Sequence, residues 1–348
     1  MNAPANISRV TIRSADISDP ITSERIAAFV RGHGAGTPFH LPQWSRAVGD
    51  GAGHAIHYLV AEQGHALVGA LPLTEVRSLL FGKALVSVGF AVGGGILALG
   101  AEASAALAEA AQALAADLGC PSIELRGGDL PPEWCRSEGS YAGFARDLSA
   151  DEEAILKSIP RKQRAEVRRA LGNGLSIEIG RDLDSHHRVY GESVRNLGSP
   201  VFPRGLFAAM LSEFGDDADI LVVRRGREAL AAVLSLYMNG TVYPYWGGGT
   251  QAARGARANE LMYFELMKHA AGRGCTRFDF GRSKLGTGAF AFKKNWGFEP
   301  EPLVYASWGK PRETNPLSPR FRLQVAAWKR LPLWAANRVG PPIARGLA

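Results

Sequence analysis

The sequence predicts a mixed α/β fold, locally α+β, made of two tandem copies of one module and followed by a basic amphipathic C-terminal tail. Three observations lead there. Gly93-Gly94-Gly95 recurs as Gly247-Gly248-Gly249, each time after an apolar strand-like run. LGCPSIEL recurs as RGCTRFDF, with Cys120 and Cys275 in step and Glu124 matched by Asp279. Upstream of these, YLVAEQGHALVGALPL parallels ILVVRRGREALAAVLSL, each a hairpin of alternating apolar positions about a Gly turn. Three matched blocks in one order, at nearly one offset (154 and 155 residues for the glycine triplet and the cysteine strand, 162 for the hairpin), mark an internal repeat.

The 348 residues suffice for two domains at about 150 each, expected over residues 1–150 and 151–309, with a tail over 310–348. The opening MNAPANISRVTIRSADISD has no apolar core of a signal peptide, and a cytoplasmic chain is expected. The uncharged run from Ala84 to Ala101 is cut by Gly89, Gly93, Gly94, Gly95 and Gly100 into strand-sized pieces, so it reads as buried strands. Each copy then runs helix, antiparallel strands, Gly-rich corner, long helix, strand. In the second copy the pattern predicts helices near 151–171, 182–196 and 203–214, strands from Ile220 to Trp246, and a helix over 258–272. For that last helix Ala258-Asn259-Glu260 offers a cap and Gly272 a stop. A sheet that passes from antiparallel meander to a β-helix-β unit leaves a crevice where its strands splay.

Composition excludes several classes. Three scattered cysteines make neither a disulfide framework nor a zinc site, and His54 and His57 lack a third ligand, so no metal is expected. Between Lys310 and Ala348 stand eight basic residues and one acid, Glu313, an excess equal to the +7 of the whole chain. The body is therefore balanced, and a DNA partner is not expected. A phosphate loop fails at Thr287, which stands where GxxxxGK after Gly281 and Gly286 needs lysine. The GxGxxA of Gly286, Gly288 and Ala291 opens no βαβ unit.

Several residues carry chemistry by pattern. Asp279 alternates with Phe278 and Phe280, so if the rings enter the core the carboxylate faces the other way, either as a base or as a capping or salt-bridge partner. Alternation puts Tyr243 and Tyr245 on one face beside Trp246, Gly247 and Gly248, as packing or as an aromatic wall for a ring-bearing substrate. Arg161, Arg164 and Arg168 share one helix face, either a solvated stripe or a phosphate site. In the tail, Trp328, Lys329, Arg330 and Trp334 suggest a segment in the interface of an anionic membrane, or aromatics docked on the body with charges outward. Pro332, Pro341 and Pro342 are expected to stop one continuous helix.

FHLPQWSRAV in the first copy, and ANELMYFELMKHAAGRGCTRFDFG followed by AFKKNWGFEP in the second, resemble tandem GNAT-type acyltransferase modules of the kind found in the Fem transferases. Those enzymes add amino acids from aminoacyl-tRNA to cell-wall precursors. SIPRKQRAEVRRAL and GRSKLGTGAFAFKKNWGFEPEPLVY are similar to the branch associated with exosortase (PEP-CTERM) and exopolysaccharide systems. A Phe-Lys pair precedes the last strands in that family, and Phe292-Lys293 stands in that place. The resemblance assigns Lys293 to the oxyanion of acyl transfer or to the donor's ester; the alternative is a solvated lysine beside Lys294. Gln251, Arg254 and Arg257 fall where acyl-CoA enzymes hold pyrophosphate, with Arg254 replacing a glycine of the Q/R-x-x-G-x-G/A loop.

The resemblance implies an acyl or aminoacyl transferase with no tightly bound cofactor. Its donor is acyl-CoA, acyl carrier protein or aminoacyl-tRNA, and its acceptor an amine on a cell-envelope or exopolysaccharide precursor. The tail would place it peripherally on the inner face of the membrane. The alternative is a non-catalytic membrane-associated scaffold of the same systems.

Overall fold

The computed structural model describes residues 9–312 and 321–348. Its first elements are β1 (Val10–Ser14), α1 (Pro20–Gly32), α2 (Pro42–Ala52), β2 (Ala55–Gln63), β3 (Ala66–Ser78), β4 (Gly82–Ser87), β5 (Leu97–Ala98), α3 (Ala101–Asp117), β6 (Ser122–Arg126) and β7 (Cys135–Asp147). Next come α4 (Glu152–Ser158), α5 (Arg161–Leu171), β8 (Ser176–Gly180), α6 (Leu183–Leu197), α7 (Arg204–Phe214), β9 (Ala218–Arg225), β10 (Glu228–Met238) and β11 (Thr241–Gly249). The last are α8 (Gln251–Ala256), α9 (Ala258–Gly272), β12 (Arg277–Lys284), α10 (Gly288–Asn295), β13 (Glu301–Gly309), α11 (Arg322–Trp328) and α12 (Leu333–Arg345).

By contact density the described residues divide into two units. One is drawn from Met1–Ser137, Val304–Glu313 and Gly346–Ala348, the other from Glu138–Leu303 and Thr314–Arg345. In the first unit the strands run β1-β2-β3-β4-β6-β13, antiparallel except where Leu85 and Val86 of β4 pair in parallel with Ile123 and Glu124 of β6. Helix α3 packs on β1, β2 and β3. Its Leu107, Ala111 and Ala115 join Leu59, Leu71, Leu85 and Ile123 in the core, which Ala306 of β13 completes. Of the uncharged run, Gly82–Ser87 and Leu97–Ala98 form strands and the glycine triplet lies between them. His54 and His57 both approach Glu75, and no group of three metal-binding side chains exists among the described residues.

The second unit repeats the plan with strands in the order β7-β12-β11-β10-β9-β8, again antiparallel except for β11 and β12. The repeated blocks thus fall on equivalent elements: the two parallel pairs, and the hairpins turning at Gly64 and Gly226. β10 is buried from Ala229 to Met238, because α9 covers one face of the sheet and α6 the other. Helix α9 is apolar on several sides since it also touches α4 and α5. One expected helix, 151–171, is two: Ile159, before Pro160, is extended at φ −76° and ψ 132°, as the proline ring requires.

The tail packs on α6. Trp328 Nε1 donates to the Ser199 carbonyl at 3.0 Å, and a Cβ on Gly340 would come 3.1 Å from Val201 Cγ1. Pro332 does separate α11 from α12, but Pro341 and Pro342 lie inside α12. There the buried face of Ala336, Gly340 and Ala344 outweighs the two missing N–H donors.

Candidate active site

Strands β11 and β12 pair in parallel only at Thr241 and Val242 against Arg277 and Phe278, and then diverge. A cavity of about 340 Å³ occupies the gap. Gly247, Gly248, Gly249 and Thr250 form one side, and Phe280, Arg282 and Ser283 the other. Ser193 and Asn196 reach it from α6, Asn259 and Tyr263 from α9, and Phe292 and Lys293 from α10.

The glycines are required by proximity. A Cβ on Gly249 would lie 2.6 Å from Asn259 Oδ1 and 2.9 Å from Ala253 Cβ. Across the gap, Gly281 has φ +65°, the left-handed region open to glycine, and sits at a register shift of β12 against β7. That irregularity turns two successive carbonyls inward. Lys293 Nζ donates to both, Gly281 O at 3.1 Å and Arg282 O at 2.9 Å.

Lys293 is 9% exposed, and its ammonium lies 5.3 Å and 5.4 Å from the ring centres of Phe280 and Phe144. Burial pulls its pKa down to about 7 from 10.5, the Asp279 charge opposing and Arg282 reinforcing the fall. Helix α10 that presents it is capped by Thr287, whose hydroxyl accepts from Phe290 N–H. Asp279 is not on the cavity wall. Its carboxylate accepts the Gly281 N–H at 2.8 Å, and burial raises its pKa, so it shapes the turn whose carbonyls hold Lys293.

The cavity takes Gly247 and Gly248 from the aromatic strand but not Tyr243, Tyr245 or Trp246. The register of β11 against β10 shifts between Leu234 and Ser235 and leaves Tyr245 as the extra residue. The simple alternation of Tyr243 with Tyr245 is therefore broken: Tyr243 and Trp246, opposite Leu236 and Leu234, share one face, and Pro244 and Gly247 the other. Trp246 meets Phe207 edge-on at 5.3 Å, and its carbonyl is 2.8 Å from His186 Nε2. The cavity's aromatic surface comes instead from Tyr263, Phe280 and Phe292.

Of the basic residues singled out by pattern, Arg254 is on the cavity wall. Arg161 and Arg168 are exposed on α5, and Arg164 Nε donates to the Ile159 carbonyl at 3.2 Å. Arg257 pairs with Glu166, which also holds Arg169. The Gln251 N–H donates to the Glu192 carboxylate at 2.7 Å. Asn259 does not cap α9, whose N-cap is Arg257 at φ +60°. It turns to the cavity, where Asn259 Oδ1 and Ser283 Oγ are buried without a hydrogen-bond partner. Sequence reasoning missed Tyr263, Ser283 and Ser193. Asn259 and Tyr263, four residues apart and so on one face of α9, were the available signal; Ser193, on a distant helix, had none.

The cavity, its glycine corner and Lys293 all fall within one recognisable stretch. Residues 160–294 match the acetyltransferase (GNAT) domain. This is an acyltransferase domain, and the chain as a whole has the fold of tandem GNAT proteins. It superposes on FemX with a TM-score of 0.61 at 15% identity, covering 81% of this chain and 95% of FemX. A tandem GNAT protein from the clavulanic acid biosynthesis pathway gives 0.54 at 14%, covering 87% and 99%. The C-terminal domain assigned to a lysylphosphatidylglycerol synthetase of Agrobacterium fabrum gives 0.54 at 14%, covering 83% and 92%. No curated protein matches the chain by sequence.

Proposed function

We propose that the chain transfers an acyl or aminoacyl group from an activated carbonyl donor to an amine on a cell-envelope or exopolysaccharide precursor, with the chemistry at Lys293. The observation that carries this reading is a lysine buried among aromatic rings, fixed by two carbonyls, with its ammonium at a cavity wall. Attack of an amine on an ester or thioester makes an oxyanion. A cation already desolvated and oriented there lowers the barrier by several kcal/mol, about 10² or more in rate.

Among the described residues the walls carry three cations, Arg254, Arg282 and Lys293, and no carboxylate. This balance suits a donor rich in oxygen or phosphate and an amine that enters uncharged. Asn259 Oδ1 is placed to accept a hydrogen bond from such an amine or from a donor amide. GNAT enzymes use acyl-CoA as co-substrate, yet at this corner the Gln251 and Ala253 amides already donate to Glu192 and Thr250. Those contacts favour a donor held elsewhere than at a pyrophosphate turn, either charged tRNA or acyl carrier protein.

Labelled acetyl-CoA, acyl carrier protein and aminoacyl-tRNA, each offered with a set of amine acceptors, test the reading. Transfer to an amine, lost in Lys293→Ala while the circular dichroism of the native protein is kept, is expected. Undiminished transfer by Lys293→Ala would remove Lys293 from the reaction.

A further inference from the structure

The C-terminal helices present two unlike faces. On α12, Ala336, Gly340 and Ala344 are buried toward the body, with Asn337 against Gly191 and Gly340 against Val201. The opposite stripe, Trp334, Arg338 and Pro342 at four-residue spacing, is exposed. Trp334 is 74% accessible, and Leu323 on α11 is 82% accessible. Lys329 and Arg330 are exposed between the two helices, and residues 321–348 include no acid at all. An indole and a leucine left in water, ringed by cations that pair with no acid among the described residues, match the chemistry of an anionic headgroup layer. Its acyl boundary takes the rings and its phosphates the charges.

We propose that this face docks on an anionic lipid surface, lying in the interface plane. No helix among the described residues is long and apolar enough to cross a membrane. Trp328 takes no part, since its indole N–H is committed to Ser199; Trp334, Leu323, Arg330 and Arg338 make the contact. The surface adjoins the cavity. Leu197, 65% exposed, is on the cavity wall, and the next residue, Gly198, packs so closely on Val325 and the Lys329 stem that a Cβ there would lie 2.6 Å from Val325. An amine acceptor carried on a lipid would thus be delivered to the cavity mouth. That last step rests on the acyl-transfer reading, whereas the docking does not.

The test is flotation of the full chain with vesicles of phosphatidylcholine, alone and mixed with phosphatidylglycerol, in moderate salt. Binding to the mixed vesicles and not to the zwitterionic ones is expected. It should weaken about fivefold for each of Arg330→Gln and Arg338→Gln, and about tenfold or more for Trp334→Ser. These variants should keep the wild-type melting temperature and its transfer to a soluble amine. Lack of binding to the mixed vesicles would overturn the proposal, as would binding that ignores the substitutions. So would self-association or tRNA binding that depends on Trp334 in place of vesicle binding. A chain that floats but transfers nothing would leave the docking standing and defeat the acyl-transfer reading alone.

Discussion

Replacing Lys293 by methionine should make the protein more stable and inactive at once. Methionine keeps an unbranched apolar stem, one atom shorter, beside Phe280 and Phe144 and removes the ammonium. In the unfolded chain that ammonium holds its proton up to about 10.5; in the native protein it releases it near 7. Between those values folding expels a proton, so stability rises with pH across the window and is lowest, by the full amount, below pH 7. At about 1.4 kcal/mol per pH unit the gap from 10.5 to about 7 corresponds to roughly 5 kcal/mol. Against this, methionine leaves the Gly281 and Arg282 carbonyls without their donor, at about 1 to 1.5 kcal/mol each. A net gain of about 2 kcal/mol remains, or roughly 4–8 °C in melting temperature. Scanning calorimetry of both proteins from pH 6.5 to pH 10 reads it directly: the variant should melt higher at pH 6.5, and the advantage should shrink steadily toward pH 10. A variant that melts lower than wild type at pH 6.5, or a difference flat in pH, would refute a desolvated ammonium at this place. Transfer should fall by about 10² or more in the same variant.

Three further outcomes follow from the same geometry. If the cationic form of Lys293 holds the oxyanion, kcat should decline as pH rises through about 7, and Lys293→Arg, if it retains activity, should carry that decline to higher pH; a profile unmoved by the arginine would separate the limb from this residue. Gly249→Ala forces a methyl to within 2.6 Å of Asn259 Oδ1, so about 1–3 kcal/mol of stability should be lost with a raised KM, checked by urea melts and steady-state kinetics. Trp328→Ala removes the indole between α11 and the Ser199 carbonyl and should expose the tail, read as faster proteolysis near residue 328 with the second unit's core amides still slow to exchange.

Much of the architecture could be read from residues because its signals are local or repeated. The glycine triplets, the cysteine-marked strands and the two Gly-turned hairpins recur, and repetition turns weak patterns into a module. Lys293 was visible as half of a Phe-Lys pair. The errors came where one inserted residue reverses an alternation. Tyr245 is a bulge, so counting by twos placed Tyr243 with the wrong neighbour and an aromatic wall on the wrong side of β11. On β12 the alternation holds: Phe278 and Phe280 are buried in the core, Asp279 accepts from the amide of its own turn, and the carbonyls of the bulge reach Lys293. Ala258-Asn259-Glu260 looked like a cap because asparagine commonly caps helices, but Arg257 in a left-handed conformation begins α9 and frees Asn259 for the cavity. Side chains such as Ser193 converge from distant helices, and no local pattern announces convergence.

The closing strands have a bearing on biosynthesis. β6 of the first unit finds its antiparallel partner in β13, from Tyr305 to Gly309, whereas β12 of the second unit pairs with β7, which precedes it in the chain. By the time β12 emerges the nascent chain therefore carries both members of that pair. The first unit, although made earlier, must wait with the edge of β6 unpaired and its core open where Ala306 belongs. N-terminal domains usually fold first during synthesis; here, until β13 is made, β6 is the strand a chaperone would have to shield.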